Sequence, residues 1–328
     1  EAYRHFVGTI GQFKRLLQVE PAVAAADMHP DYAATRYART LGLPVVYVQH
    51  HHAHLASCLA DNSLSGRAIG IICDGTGYGA DGAIWGGEVL VGDGARFERT
   101  AHLAYYPLPG GDAGAIHTWR PAAGLLSLIE DDFARLDPQS FERVPADALA
   151  ITGRLLRRPE RLPRTSSLGR LFDAAAFLIG ICDENRYEAE AAMRLEAAAG
   201  RVSQAEPLPY EWIGPQGADD SEQIDCRPMV ADLIRRRRGG EDRGSLARAF
   251  HETIATMLAE AARRAGRRSG LDRVVLSGGC MANRLLAGGL RDRLRAAGLC
   301  VFEHRQVPPG DGGLALGQAV AAAMKQSV

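Results

Sequence analysis

The run Val45-Val46-Tyr47-Val48-Gln49-His50-His51-His52-Ala53-His54 decides how this chain is read. Three valines and a tyrosine predict a short strand, because β-branched and aromatic side chains suit a pleated, half-buried surface. The histidines follow at once and lead into a helix expected over Ala53 to Leu59. Residues i and i+4 share a helix face, so His50 and His54 can present two imidazoles to one ion, as paired helix histidines do in metalloenzymes. Open α/β sheets gather ligands at such strand-to-helix junctions, which favours a metal site over four merely surface or hydrogen-bonded histidines. Spacing alone does not say which of the four ligate.

Working outward toward the start, Phe6, Ile10, Phe13 and Leu17 recur at helical spacing and predict an amphipathic helix. Ala22 to Ala26 reads as a buried strand with Asp27 at its tip. Asp31 is placed to cap a helix that Gly42 and Pro44 stop near Leu41. In the other direction, Ile69 to Asp74 is a strand running into a glycine-rich turn. Ala83 to Val91 pairs with it as a hairpin, and β character continues to about Leu103. Pro121 to Leu195 is mostly helical, with Arg154 to Arg164 a charged connector. Pro207 to Asp225 reads as an irregular loop or insertion, and Arg235 to Arg238 as a solvated helix end, since no aromatic residues interleave. A long helix is expected over Ser245 to Arg264, strands at Arg273 to Ser277 and Cys300 to Phe302, a helix from about Asn283, and a closing Ala-rich helix. Strands alternating with helices indicate α/β layers.

The chain has 328 residues, 46% hydrophobic and 23% charged, with net charge -1: an ordinary globular balance, long enough for two lobes. That neutrality argues against nucleic acid as a partner. No apolar stretch approaches the ~20 residues that cross a bilayer. The sequence opens without Met, directly in a helical pattern, and reads as a piece of something longer. Cys58, Cys73, Cys182, Cys226, Cys280 and Cys300 are scattered without a C-x-x-C pair, which suits buried free thiols and the cytoplasm.

Three further clusters bear chemistry. Asp74-Gly75-Thr76-Gly77-Tyr78-Gly79 sits at a strand end, where glycines admit a phosphate and an acid can orient a metal, a water or a ribose. Ser277-Gly278-Gly279 lies between strand and helix, a place for amides that meet phosphate, but it lacks the Walker A ending. Asp311, in a Gly/Pro loop, is either a helix cap or an oxygen ligand completing a metal site. No Ser-His-Asp order or nucleophile elbow stands out, so the residues alone indicate a two-lobed nucleotide and metal site with its reaction unspecified.

Taken with Asp27-Met28-His29-Pro30-Asp31-Tyr32, Trp85-Gly86-Gly87-Glu88, Pro107-Leu108-Pro109-Gly110-Gly111-Asp112, Leu168-Gly169-Arg170-Leu171-Phe172-Asp173, Asn283-Arg284-Leu285-Leu286 and Pro308 through Gln318, these motifs resemble the C-terminal portion of the HypF family. The resemblance runs over nearly the whole chain, in order. It implies a two-lobed ASKHA (actin-like), Kae1-like α/β fold, with residues 1–66 in the first lobe, N-terminally incomplete. Residues 67–328 would form the second, with a helical insert and a C-terminal helix returning to the first. It implies one metal, iron or zinc with magnesium a further candidate, on His50, His54 and Asp311. Nucleotide contacts are expected from Gly75, Thr76, Gly77, Gly110, Gly111, Asp112, Gly278, Gly279 and Asn283, and roles in the reaction from Asp74, His51 and Glu188, with Glu190 beside it.

The implied activity is carbamoyltransferase: carbamoyl phosphate is broken down, ATP activates the product as carbamoyl-adenylate, and the carbamoyl group passes to the C-terminal cysteine of HypE for cyanide ligand synthesis on nickel–iron hydrogenase. The family's upstream YrdC-like adenylating module, acylphosphatase and zinc-finger modules are not in this sequence. Alternatives are a small-molecule O-carbamoyltransferase, a Kae1-like tRNA threonylcarbamoyl transferase, or a non-catalytic module that binds nucleotide and docks HypE. Two departures stand out: Ala189, where the family pattern calls for Gly, and the segment His117-Thr118-Trp119-Arg120.

Overall fold

Alternation along one strand builds the centre of the protein. In Ala68-Ile69-Gly70-Ile71-Ile72-Cys73, the side chains of Ile69, Ile71 and Cys73 enter one apolar cluster, and those of Ala68 and Ile72 enter another on the opposite face. A strand covered on both faces is apolar at nearly every position. Each fully buried isoleucine contributes roughly 1.5–3 kcal/mol.

The structure, a computed structural model, describes residues 1–215 and 220–326. Strands β1 (Ala24–Asp27) and β2 (Val45–Val48) pair in parallel with Asp27 opposite Val48. The remaining strands are β3 (Ala68–Tyr78), β4 (Ile84–Gly92), β5 (Phe97–Leu103), β6 (Tyr106–Pro107), β7 (Arg164–Thr165), β8 (Glu211–Ile213), β9 (Glu222–Asp225), β10 (Arg273–Ser277) and β11 (Cys300–Phe302). They form one mixed sheet in the order β11-β10-β3-β4-β5-β9-β8, with β6 and β7 joined at β4. The β3–β4 hairpin is antiparallel as expected, while β3 lies parallel to β10, whose first residue follows some two hundred residues later. Helices Leu168–Ile179 and Arg243–Ser269 cover one face. The histidine helix, His50–Asp61, covers the other and packs against the closing helix, Leu314–Gln326.

Several expected boundaries move. The histidine helix starts at His50, not Ala53, because Gln49 Oε1 accepts the His52 amide at 2.8 Å and caps it. Asp31 caps nothing: the N-cap position of the helix Ala33–Ala38 falls one residue later, on Tyr32. The segment Pro207–Asp225 is not all loop, since it holds β8 and β9; its residues 216–219 lie outside the described residues. The four arginines do end a helix, Arg227–Arg238, but each has partners within the protein, Arg235 on Asp232 and Arg238 on the Leu136 carbonyl among them. Arg236 pairs with Asp232, and Arg237 reaches Asp137 at 3.0 Å and the Leu178 carbonyl at 2.6 Å. The first helix, Ala2–Leu17, is amphipathic as expected, yet none of its residues is buried and Phe6, Phe13 and Leu17 are exposed. Of the cysteines, all free, Cys280 is half-buried and Cys300 exposed; the other four are buried. Among the described residues, no helix is long and apolar enough to cross a membrane.

Candidate metal and nucleotide site

Four segments converge on one point. The histidine helix brings His50 and His54 on the same face, both almost fully buried. Strand β3 contributes Asp74, just where its register with β4 shifts between Cys73 and Gly77. The turn Asp311–Gly313, at the entrance to the closing helix, contributes Asp311. Asp74 Oδ2 lies 3.1 Å from His50 Nε2 and 3.2 Å from His54 Nε2, and Asp311 Oδ1 lies 3.6 Å from each. One donor atom from each of the four residues falls within 4.8 Å of all the others. The fourth segment is β1, whose tip places Asp27 Oδ2 2.8 Å from His50 Nδ1.

Carboxylate charge dominates this point. Burial opposes charge on His50, but Asp27, Asp311 and Asp74 outweigh it and push the imidazole up to about 12. His54 is raised likewise, by Asp311 and Asp74 against its burial. Burial would raise Asp74, yet the two imidazoles hold it well below the usual carboxylate range. Asp311 is held low by the same imidazoles. Two imidazoles and two carboxylates, aimed at a common point with a carboxylate behind one imidazole, form a donor set that fits zinc or iron, and ligand softness does not choose between them.

Beside this cluster opens a cavity of about 360 Å³, within the size range of small-molecule sites. Of the residues expected at the site, Asp74, Gly75, Thr76, Glu188, Gly279, Asn283 and Asp311 line it. The others are placed differently. Gly77 lies beneath the histidines, where a Cβ would come 2.4 Å from His51 Cε1. Gly278 sits behind the wall with φ +96°, and a Cβ there would meet the Cys73 carbonyl oxygen at 2.1 Å. Its amide donates to the Pro309 carbonyl, and that of Gly279 to Asp74 at 3.3 Å, so both amides have partners within the protein. Asn283 is a wall residue whose side chain caps the helix Arg284–Ala296 and donates to His251. Gly110, Gly111 and Asp112 form a turn before the short helix Ala113–Ile116 and do not line the cavity.

His51, expected at the reacting centre, is sealed away. It is fully buried, its ring packs toward Trp85 at 5.9 Å, and burial lowers its pKa to about 3. His52 turns to the β4–β5 connection, where Nε2 donates to the Asp93 carbonyl at 2.8 Å. Glu190 is likewise not at the site: it is buried in ion pairs with Arg194 and Arg186, whereas Glu188 stays exposed on the rim.

Residues that sequence reasoning did not assign to the site also reach it. Arg170 and Asp173 face each other across 2.7 Å in the cavity wall, at the start of the helix Leu168–Ile179. Burial raises Asp173 in spite of Arg170. Gly169 lets that helix end abut the Gly75 turn, since a Cβ would lie 2.8 Å from Gly75 Cα. The motif around Arg170 was visible in the sequence, but nothing in its spacing tied it to Asp74.

Comparison with known proteins agrees with this layout. Residues 70–318 match the family described as "Carbamoyltransferase, Kae1-like Domain, second subdomain", and residues 1–61 the "HypF Kae1-like domain". The carbamoyltransferase HypF of Rhodobacter capsulatus is 39% identical over 98% of this chain and 42% of its own length. A HypF homolog of Cupriavidus necator is 38% identical over 91% of this chain and 77% of its own length. A crystal structure of full-length HypF in its phosphate- and nucleotide-bound form superposes with TM-score 0.92 at 37% identity, covering 98% of this chain and 50% of that one. HypF of T. kodakarensis superposes at 0.88 with 30% identity, covering 99% of this chain and 43% of that one. The chain thus spans about two-fifths of the Rhodobacter relative.

Proposed function

This chain belongs to the HypF carbamoyltransferase family as its Kae1-like portion, and from that premise we propose that it transfers a carbamoyl group from carbamoyl-adenylate to the C-terminal cysteine thiol of HypE. The adenylate would come from the family's upstream YrdC-like module. One observation carries the reading: the cluster of His50, His54, Asp74 and Asp311 stands at the edge of a cavity walled by glycines and by a helix N-terminus.

A divalent cation bound to those four residues would supply positive charge against the leaving phosphate. The chain's own residues divide the remaining work. Gly75, Gly169 and Gly310 keep the wall free of side chains, so a phosphate can approach the backbone. The N-terminus of the helix Leu168–Ile179 and the Arg170 guanidinium favour negative charge beside it. Glu188, on the exposed rim, would accept from the carbamoyl amine. Cys280 lines the cavity too, but burial pushes its thiol up and keeps it protonated. In this reading the nucleophile is the thiol of the partner. The incoming thiolate attacks the carbamoyl carbon, the bond from that carbon to the phosphate oxygen breaks, and AMP leaves with the electron pair.

Incubation with synthetic, carbon-labelled carbamoyl-adenylate and purified HypE tests this. Label on the HypE C-terminal cysteine is expected, and a HypE variant lacking that cysteine should stay unlabelled. Binding of nucleotide with no transfer of label would leave only a docking role.

A further inference from the structure

The two histidine ligands are held from behind in different ways. His50 Nδ1 meets a carboxylate directly, Asp27 Oδ2 at 2.8 Å. Because a carboxylate only accepts, the proton on Nδ1 is held in place, and Nε2, which faces Asp74 and Asp311, is the nitrogen that a cation would deprotonate and bind. His54 reaches a carboxylate through two intermediates. Its Nδ1 lies 3.4 Å from Ser277 Oγ, and Ser277 Oγ lies 2.8 Å from His304 Nε2. His304 Nδ1 in turn lies 3.5 Å from Asp61 Oδ2, with these two side chains only 3% and 2% exposed.

We infer that Asp61, His304 and Ser277 form a buried relay that fixes the tautomer and the aim of His54. The inference rests on the reading of His54 as a metal ligand. The order of protons follows from the chemistry of each group. His304 Nδ1 makes no hydrogen bond, but the Asp61 carboxylate 3.5 Å away favours a proton on it by charge, leaving Nε2 bare. That nitrogen accepts the Ser277 hydroxyl proton, in preference to the Pro309 carbonyl, which is farther from Oγ at 3.3 Å. The Ser277 oxygen then accepts from His54 Nδ1–H, and the His54 Nε2 lone pair is left for a cation. Both imidazoles thus present the same nitrogen, one set by a direct carboxylate and one by a carboxylate two side chains away. Ligand histidines depend on such outer partners for their orientation.

Asp61 has a second hold on the same site. It is the last residue of the histidine helix, and its carboxylate accepts the backbone amides of Arg305 at 2.5 Å and Gln306 at 3.2 Å. Those residues open the loop that delivers Asp311. One carboxylate therefore ties the helix bearing His50 and His54 to the segment bearing Asp311. Ser277, Asp61 and His304 are positioning residues in this scheme.

Zn²⁺ titration of the 328-residue chain against a chromophoric chelator, at fixed pH, tests the relay. Ser277→Ala and His304→Leu are each expected to weaken Zn²⁺ affinity about 10- to 100-fold. Ser277→Thr, which keeps the hydroxyl, should restore affinity to near that of the parent. The double variant should lose no more than the weaker single one, because both break the same series. Thermal midpoints in chelator show that each variant folds, and His304→Leu serves if Ser277→Ala does not. Parental affinity in either single variant, additive losses, or a Ser277→Thr as weak as Ser277→Ala overturns the relay. His54→Ala separates the two readings. If it still binds Zn²⁺ like the parent, or if the parent binds none, the ligand assignment falls and the relay with it. If it alone loses the metal, the ligand stands and the relay fails.

Discussion

Ala189 adopts φ 60° and ψ 21°, a left-handed backbone, at the N-cap of the helix Glu190–Ala199 and in the wall of the cavity. A Cβ in that conformation crowds the following carbonyl oxygen and costs about 1–2 kcal/mol, whereas glycine escapes the clash but loses about 0.5–1 kcal/mol of additional chain entropy. The difference predicts that Ala189→Gly stabilises the fold by about 0.5–1 kcal/mol. Urea denaturation checks it: the midpoint should rise at unchanged slope, and a fall would show that the Cβ contributes more in contacts than it costs in strain. The sequence already marked this position as unusual, since the family pattern calls for Gly there. What it could not show was the positive φ. Other residues divide in the same way. The i, i+4 spacing showed that His50 and His54 can share a face but did not choose among the four histidines, which took the family resemblance, and Asp74 was read as part of the reacting centre and not as a neighbour of both imidazoles. Asp27 carries no spacing signal of its own, because the contact that gives it a role lies 23 residues away in His50, and nothing local shows that Arg170 shares a cavity wall with Gly75.

At the scale of elements, the histidine helix depends on how closely the closing helix approaches it. A Cβ on Gly317 would lie 1.8 Å from the Ala53 carbonyl oxygen and 2.8 Å from the Ser57 amide nitrogen. Ser57 Oγ also donates at 2.7 Å to the carbonyl of Gly313, in the turn that opens the closing helix, which holds the histidine helix to the start of that element. Gly317→Ala should therefore push the helices apart and cost at least about 1–3 kcal/mol, the usual range for overpacking a tight contact. Gly8, midway along the first helix with open space around it, provides the contrast. Gly8→Ala should stabilise by up to about 1 kcal/mol through helix propensity alone. Paired denaturation curves test both, and equal effects would refute the packing argument. Most elements could be read from periodicity and turn residues. The start of the histidine helix could not, because Gln49 caps it and glutamine is not among the ordinary N-cap residues.

For the whole molecule, what the sequence left unread is which distant strands adjoin. Strand β3 has β4 beside it through a hairpin, which local patterning reveals. It also has β10, and β5 has β9; these pairings join parts of the chain more than a hundred residues apart and have no local signature. The candidate metal site shares this non-local character, since its donors come from the histidine helix, from β3 and from the turn before the closing helix. A cation bound there would cross-link three segments that are far apart in the unfolded chain, where no such site exists, so binding would favour the folded state by mass action. At free Zn²⁺ about 100 times Kd, the added stability is about 2.7 kcal/mol. The thermal midpoint should accordingly rise by several degrees with Zn²⁺ and fall back when EDTA is added. In the variant His50→Ala/His54→Ala the midpoint should no longer respond to either addition, whatever its absolute value. A parent chain whose midpoint ignores both Zn²⁺ and EDTA would show that the four side chains hold one another through ion pairs alone, as His50 and Asp74 do at 3.1 Å. A variant that still responded would place the cation somewhere other than the histidine helix.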